Sequence, residues 1–329
     1  MPLLIILFIG FLTHSMINPS THASVWDSQK SWTNDEEIKF GQWIESTQVH
    51  PQMFSAPSSP YHGVTLDCAD LMYALRAIYA FENKLPYQVK NPVASATSKT
   101  PFFTNNMALW DKLPPNKRLI KFLNYLNASL GTETLSLFDS YSPTIKSIRS
   151  GSFYMWKVVL GTGEIVRHTY VIKSINPKGN FDLIYSTQSA AAAGRALYYH
   201  LNTQISSVYA PKIKNWGFRK MKWPQHYQSN GIRPADENLE QYTLAAKLSG
   251  KEFFKLIKRT LQKTTETNSE FLKRSVKSLC DQLIDREVEV KSANTFVNSI
   301  NQRCLNYQEY DAYSTPSRDL AFKKLVCKS

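Results

Sequence analysis

The sequence predicts an α+β fold, in which helices and an antiparallel sheet form separate layers, followed by an α-helical C-terminal domain. Three observations carry this expectation. A helix-period run follows Asp67, with Leu71, Leu75, Ile78 and Phe81 along one side. Three β-rich stretches then come in succession, at 152–160, 165–175 and 181–187, separated by the turns Gly161-Thr162-Gly163 and Asn176-Pro177-Lys178-Gly179-Asn180. Beyond Pro224 the pattern is helical to the end of the chain. A helix followed by an antiparallel meander packs as two layers around one core.

Composition narrows the class. The chain has 329 residues, 39 Lys and Arg against 26 Asp and Glu, a formal net charge of +13, 43% hydrophobic residues and a mean hydropathy of −0.34. That apolar content excludes a disordered chain, 12 glycines exclude collagen, and the mean hydropathy excludes a multi-span membrane protein. The length fits one large or two ordinary domains of roughly 100 to 200 residues each. The expected division is a signal peptide at 1–23, a main domain at 24–228 with an insertion at about 91–144, and a basic helical domain at 229–329.

The first residues read as an address. An apolar run of eleven residues at 2–12 precedes the small-residue site Thr21-His22-Ala23, which is the pattern of a secretory signal cut near Ala23, although no Lys or Arg precedes Leu3. A bilayer span needs about twenty apolar residues, so no stable membrane span is expected after cleavage. The mature chain is expected to be periplasmic or secreted. An oxidising compartment permits disulfides, and Cys280 can pair with Cys304 or Cys327, whereas Cys68 stands apart. No CxxC or HxxxH spacing occurs, so no metal or other cofactor is expected.

Other elements follow in order. A helix is expected within 26–51, capped by Thr33 or Asn34, then a Ser- and Pro-rich loop at 55–63. Inside the insertion, 117–130 has helical spacing and shows no chemistry. A small-residue run at 190–193 leads to a short helix or loop. Residues 212–223 mix cations with aromatics, which suits a nucleic-acid platform or a closing strand with alternate residues buried; the strand is favoured and nucleic acid is not. C-terminal helices are expected at 239–248, 253–261, 271–284, 293–305 and 320–326. Their Lys and Arg residues form a solvated face able to meet an anionic polymer.

The chemistry centres on Cys68. Asp67 can accept from first-turn amides, and Asp70 can reach back as a capping carboxylate, which places Cys68 where the helix dipole favours a thiolate. His168 lies within the second strand and is the expected base. Asp182 is the carboxylate of the third strand and the expected orienting group, with Ser186 or Gln188 as substitutes. Alternation puts Asp182, Ile184 and Ser186 on one face, and Phe181, Leu183 and Tyr185 on the other.

The string Pro60-Tyr61-His62-Gly63-Val64-Thr65-Leu66-Asp67-Cys68-Ala69-Asp70-Leu71 resembles the start of NlpC-type papain-like cysteine peptidases. Arg149-Ser150-Gly151-Ser152-Phe153-Tyr154, His168-Thr169-Tyr170-Val171-Ile172 and Trp216-Gly217-Phe218-Arg219-Lys220 resemble that family's successive strands. The resemblance spans roughly residues 61–224. It implies a papain-like fold, an exported cysteine hydrolase of amide or peptide bonds, and cell-wall peptide as substrate. By the same resemblance, Tyr61 stands where its hydroxyl would assist the oxyanion beside the Cys68 amide. Ala69-Asp70 replace the family's Ser-Gly and Ser152 replaces an Asp, which motivates an alternative: a non-catalytic binding or scaffold protein on an inactivated papain-like core. Transglutaminase-like acyl transferases share the order of Cys helix and His strand and are a further alternative. The expected partner is an anionic cell-wall polymer or peptide, with the partner of the helical domain unassigned.

Overall fold

The computed structural model describes residues 24–313, apart from 96, 160–162, 164, 188–195, 204–209, 229–230, 302–303, 307–308 and 310–312. The expected signal peptide and Cys327 therefore lie outside the described residues. The first half comprises α1 (Asn34–Glu45), α2 (Asp70–Glu82), the strand pair β1 (Gln88–Lys90) and β2 (Phe102–Thr104), α3 (Pro115–Ser129) and the short α4 (Thr132–Thr134). A sheet of six strands follows in the spatial order β3-β8-β4-β5-β6-β7, from β3 (Ser140–Tyr141), β4 (Phe153–Val159), β5 (Ile165–Ile175), β6 (Phe181–Tyr185), β7 (Tyr198–Thr203) and β8 (Gly217–Met221). All its pairings are antiparallel. Three helices close the described chain: α5 (Glu240–Lys247), α6 (Gly250–Leu261) and α7 (Asn268–Ser299). The mixed α+β class is thus as expected, and residues 217–221 do form a strand, but β8 lies between β3 and β4 with all five residues buried rather than alternate ones.

Local chemistry explains the ends of these elements. Thr33 caps α1 by accepting from the Glu36 amide at 3.2 Å. At the other end of α1 the Lys173 ammonium of β5 donates to the carbonyls of Ile44, Ser46 and Val49, each at 2.7 Å, satisfying acceptors that the helix leaves open. Gly151, just before β4, has φ +83°, and a Cβ there would lie 2.9 Å from the Phe40 ring. Only glycine lets the chain turn that close under α1.

Both faces of the sheet are covered. Phe153, Met155, Val171 and Ile184 join the core of α1, α2 and α3, whereas Tyr154, Ile172, Leu183 and Phe218 join Phe253, Phe254 and Ile257 of α6. This layering changes the expected organisation. The insertion at 91–144 supplies Leu119, Phe122, Leu123 and Leu126 to the first core and β3 to the sheet. Of the region after 229, α5 and α6 pack on the sheet and share the second core with its strands.

Two further expectations are corrected. The helix expected at 271–284 and the first part of that expected at 293–305 are one continuous α7 of 32 residues ending at Ser299, because the intervening residues include no Pro or Gly to break it. Cys280 and Cys304 are not bridged to each other. The 19 residues of α7 beyond Cys280 carry the chain about 28 Å away before it turns towards Cys304. At 198–203 a strand, β7, stands where a helix or loop was expected, because its backbone pairs with β6.

A buried carboxylate stands where β3 begins. Asp139 accepts from the Lys90 amide at 2.7 Å, from Tyr73 at 2.7 Å and from Tyr227 at 2.8 Å. Burial outweighs those bonds and pushes its carboxyl up from 3.8 to about 6. An acid that holds its proton more tightly when folded loses stability as pH rises from the unfolded value to the folded one. The free energy of unfolding in urea should therefore gain a contribution as pH falls from 7 to 5, and that gain should be missing in Asp139→Asn. Equal slopes in the two proteins would contradict the assignment.

Candidate functional site

The N-terminal turn of α2 is built as the sequence requires. Asp67 Oδ1 accepts from the amides of Ala69 at 2.8 Å and Asp70 at 3.0 Å, and Asp70 Oδ2 accepts from the Asp67 amide at 2.8 Å. Cys68 sits in this reciprocal cap, half-buried, with its Sγ 3.7 Å from Thr132 Oγ1 of α4 and hydrogen-bonded to the Thr169 backbone of β5. Beside it Ser186 donates to the Leu66 carbonyl at 3.0 Å.

The electrostatics of the turn oppose a thiolate. Burial, followed by the charges of Asp67 and Asp70, pushes the Cys68 thiol up to about 12 against the hydrogen bonds from Thr132 and Thr169. The helix dipole favours the anion by about 1 kcal/mol at most sites, which cannot offset burial beside carboxylates. Burial keeps Cys68 protonated, and the carboxylates of the cap that positions it reinforce that.

His168 lies on the other side of β5. Register pairs Met155 with Thr169 and Trp156 with His168, so Thr169 shares the α2 face with Met155 while His168 shares the opposite face with Trp156. Glu133 of α4 marks the Cys68 face independently, binding Lys157 and Arg167 at 2.7 Å each, both in phase with Thr169. The imidazole packs among Tyr170, Tyr185 and Trp156 with ring centroids 4.5, 5.2 and 6.1 Å away. Burial lowers its pKa to about 4. No hydrogen bond joins it to Cys68, and the expected ion pair is not formed.

The other expected partners are also elsewhere. Asp182 accepts from the hydroxyl of Ser174, its register partner on β5. Ser174 is six residues beyond His168, roughly 20 Å along the strand. The alternation expected for β6 does hold, with Ile184 facing the α2 core and Phe181 and Leu183 the α6 core, and that is what separates Asp182 from the His168 face. Tyr61 donates to Glu82, the last residue of α2, about 20 Å from the end that holds Cys68. Gln188 lies outside the described residues. Thr132, which does touch Cys68, falls in the segment that showed no chemistry, and no local motif signals it.

Compared with protein-family models, with curated proteins and with solved structures, the chain matches none. The geometry therefore defines the site by itself: a capped, protonated thiol on one face of a sheet and an uncharged imidazole in an aromatic cluster on the other.

Alkylation at pH 7.5 followed by peptide mass spectrometry should label the exposed Cys280 before Cys68, and Cys68 should react readily only after unfolding. Rapid labelling of Cys68 in the folded protein would contradict the raised pKa. Asp67→Ala, which removes acceptors from two helix amides, should cost about 1 kcal/mol in chemical denaturation.

Proposed function

We propose that this protein is an exported, non-catalytic binding protein on a papain-like core, attached through its basic helical region to an anionic cell-wall polymer. The observation that carries this reading is the placement of Cys68 and His168 on opposite faces of β5. A cysteine hydrolase needs a thiolate and an imidazole in contact. With the thiol near 12 and the imidazole near 4, both are uncharged at neutral pH. The order of a Cys-led helix and an antiparallel sheet supports a papain-like ancestry for the core.

The polymer contact is supported by a cavity of about 420 Å³ between α6 and the start of α7. Lys251, Lys255 and Arg259 line it beside Phe254 and Phe271. The one acid in the wall, Glu266, is already held by Lys258 and by Arg274 at 2.8 Å. Those neighbours hold its carboxyl down at about 2, so it remains ionised and occupied. Lys251, Lys255 and Arg259 form no ion pair among the described residues and can meet an external anion, whose attraction weakens as salt screens it.

Mixed with purified wall material, the protein should co-sediment at low salt and be released as ionic strength rises. Lys255→Glu with Arg259→Glu should weaken binding at least tenfold, and no soluble peptide should appear. Peptide release that Cys68→Ala abolishes would instead establish a cysteine hydrolase, and coupling of an added amine would establish an acyl transferase.

A further inference from the structure

A second cavity, of about 430 Å³, lies between α1, β3, β8, the turn Pro224–Tyr227 and residues 232–236, and it shares no lining residue with the Cys68 turn. Its walls carry several charges, and most are matched internally. Glu37 accepts from Arg76 Nη2 at 2.6 Å and from Trp223 Nε1 at 2.7 Å. Asp236 accepts from Lys220 Nζ at 2.6 Å and is also hydrogen-bonded by the Ser147 and Tyr141 side chains. Both acids are thereby kept ionised and occupied, with pKa values below the ordinary carboxylate range.

Arg149 is different. Its half-buried guanidinium lines the cavity and makes no hydrogen bond or ion pair among the described residues. Of the charges around it, Lys220 repels it, and Glu37 attracts it from a distance while its hydrogen bonds go to Arg76 and Trp223. Exposed Arg233 adds another cation to the lining.

His226 completes the pattern. Its Nδ1 accepts from the Trp223 amide at 3.0 Å, so the neutral ring carries its proton on Nε2 and offers a donor there. The ring stacks on Trp223 at 5.0 Å and meets the Tyr141 ring edge-on at 6.2 Å. The two carboxylates of the wall are engaged inside the protein, whereas the guanidinium fork of Arg149 and the imidazole N–H of His226 make no hydrogen bond among the described residues. A cavity with surplus donors, surplus positive charge and aromatic sides is complementary to an acceptor-rich anion on an apolar body.

We propose that this cavity binds a small organic ligand through one oxyanion group, a carboxylate or phosphate, with Arg149 as the fork that holds it and His226 as the second donor. The buried pairs Arg76–Glu37 and Lys220–Asp236 serve as its fixed frame. The inference does not depend on Cys68 or on the polymer contact at α6 and α7.

The test uses the full chain with three probes: inorganic phosphate, phenylacetate and phenyl phosphate, with phenylacetamide as the neutral control. Each oxyanion should raise the melting temperature, and calorimetry should find one site at which phenylacetate or phenyl phosphate binds at least tenfold more tightly than phenylacetamide. The tighter of the two identifies the natural headgroup. Arg149→Gln should lose at least tenfold in affinity for both while keeping its far-ultraviolet circular dichroism, and Arg149→Lys should retain part of it. Absence of any oxyanion effect on the wild type, equal binding of the amide, or unchanged binding by folded Arg149→Gln would each overturn the proposal.

Discussion

The molecule depends on the register of β5 between two buried faces. A strand covered on one side can slip at the expense of one set of contacts, whereas here a shift of one residue would drive Val171 out of the α2 core and Ile172 out of the α6 core together. That double burial fixes Thr169 beneath Cys68 and His168 among the tyrosines. Chemistry at the α2 turn is decided by packing far larger than the turn itself.

The same constraint organises the buried charges. Covering both faces leaves strand and helix ends with polar groups that water cannot reach, and several of them are met by a side chain from another layer. Lys173 of β5 closes the end of α1, Arg219 of β8 donates to the Ser136 and Ser140 carbonyls at 3.0 and 2.7 Å, and Arg76 of α2 reaches Glu37 of α1 while lying 3.4 Å over the Trp32 ring. Such ties cost heavily if broken singly, so they specify one arrangement of layers. Against these ties Arg149 stands out, since its guanidinium lines a cavity and makes no hydrogen bond or ion pair among the described residues.

Much of the local structure was legible in the sequence because its causes are local. The Asp67 and Asp70 cap, the Thr33 cap, the three-strand meander and the existence of a strand at 217–221 follow from short-range hydrogen bonding, periodicity and turn residues. The candidate site was legible only in part. Cys68 was placed correctly in its turn, but the sequence could not show that Thr169 rather than His168 would face it, because alternation assigns residues to two faces without saying which face a helix will cover. Tyr61 and Asp182 failed for a related reason, since the partners they found, Glu82 and Ser174, are set by how loops and registers close.

What the sequence by itself determined is the set of elements: a Cys-led helix, antiparallel strands and a basic helical end, each dictated by patterns within a few residues. Only the tertiary structure decided that α5 and α6 would cover the second face of the sheet and that His168 would be enclosed with that face. It also brought Glu37, Arg149, Lys220 and His226 around one cavity. Those outcomes rest on contacts between residues far apart in the chain, where the burial of whole layers outweighs any preference a short segment can express.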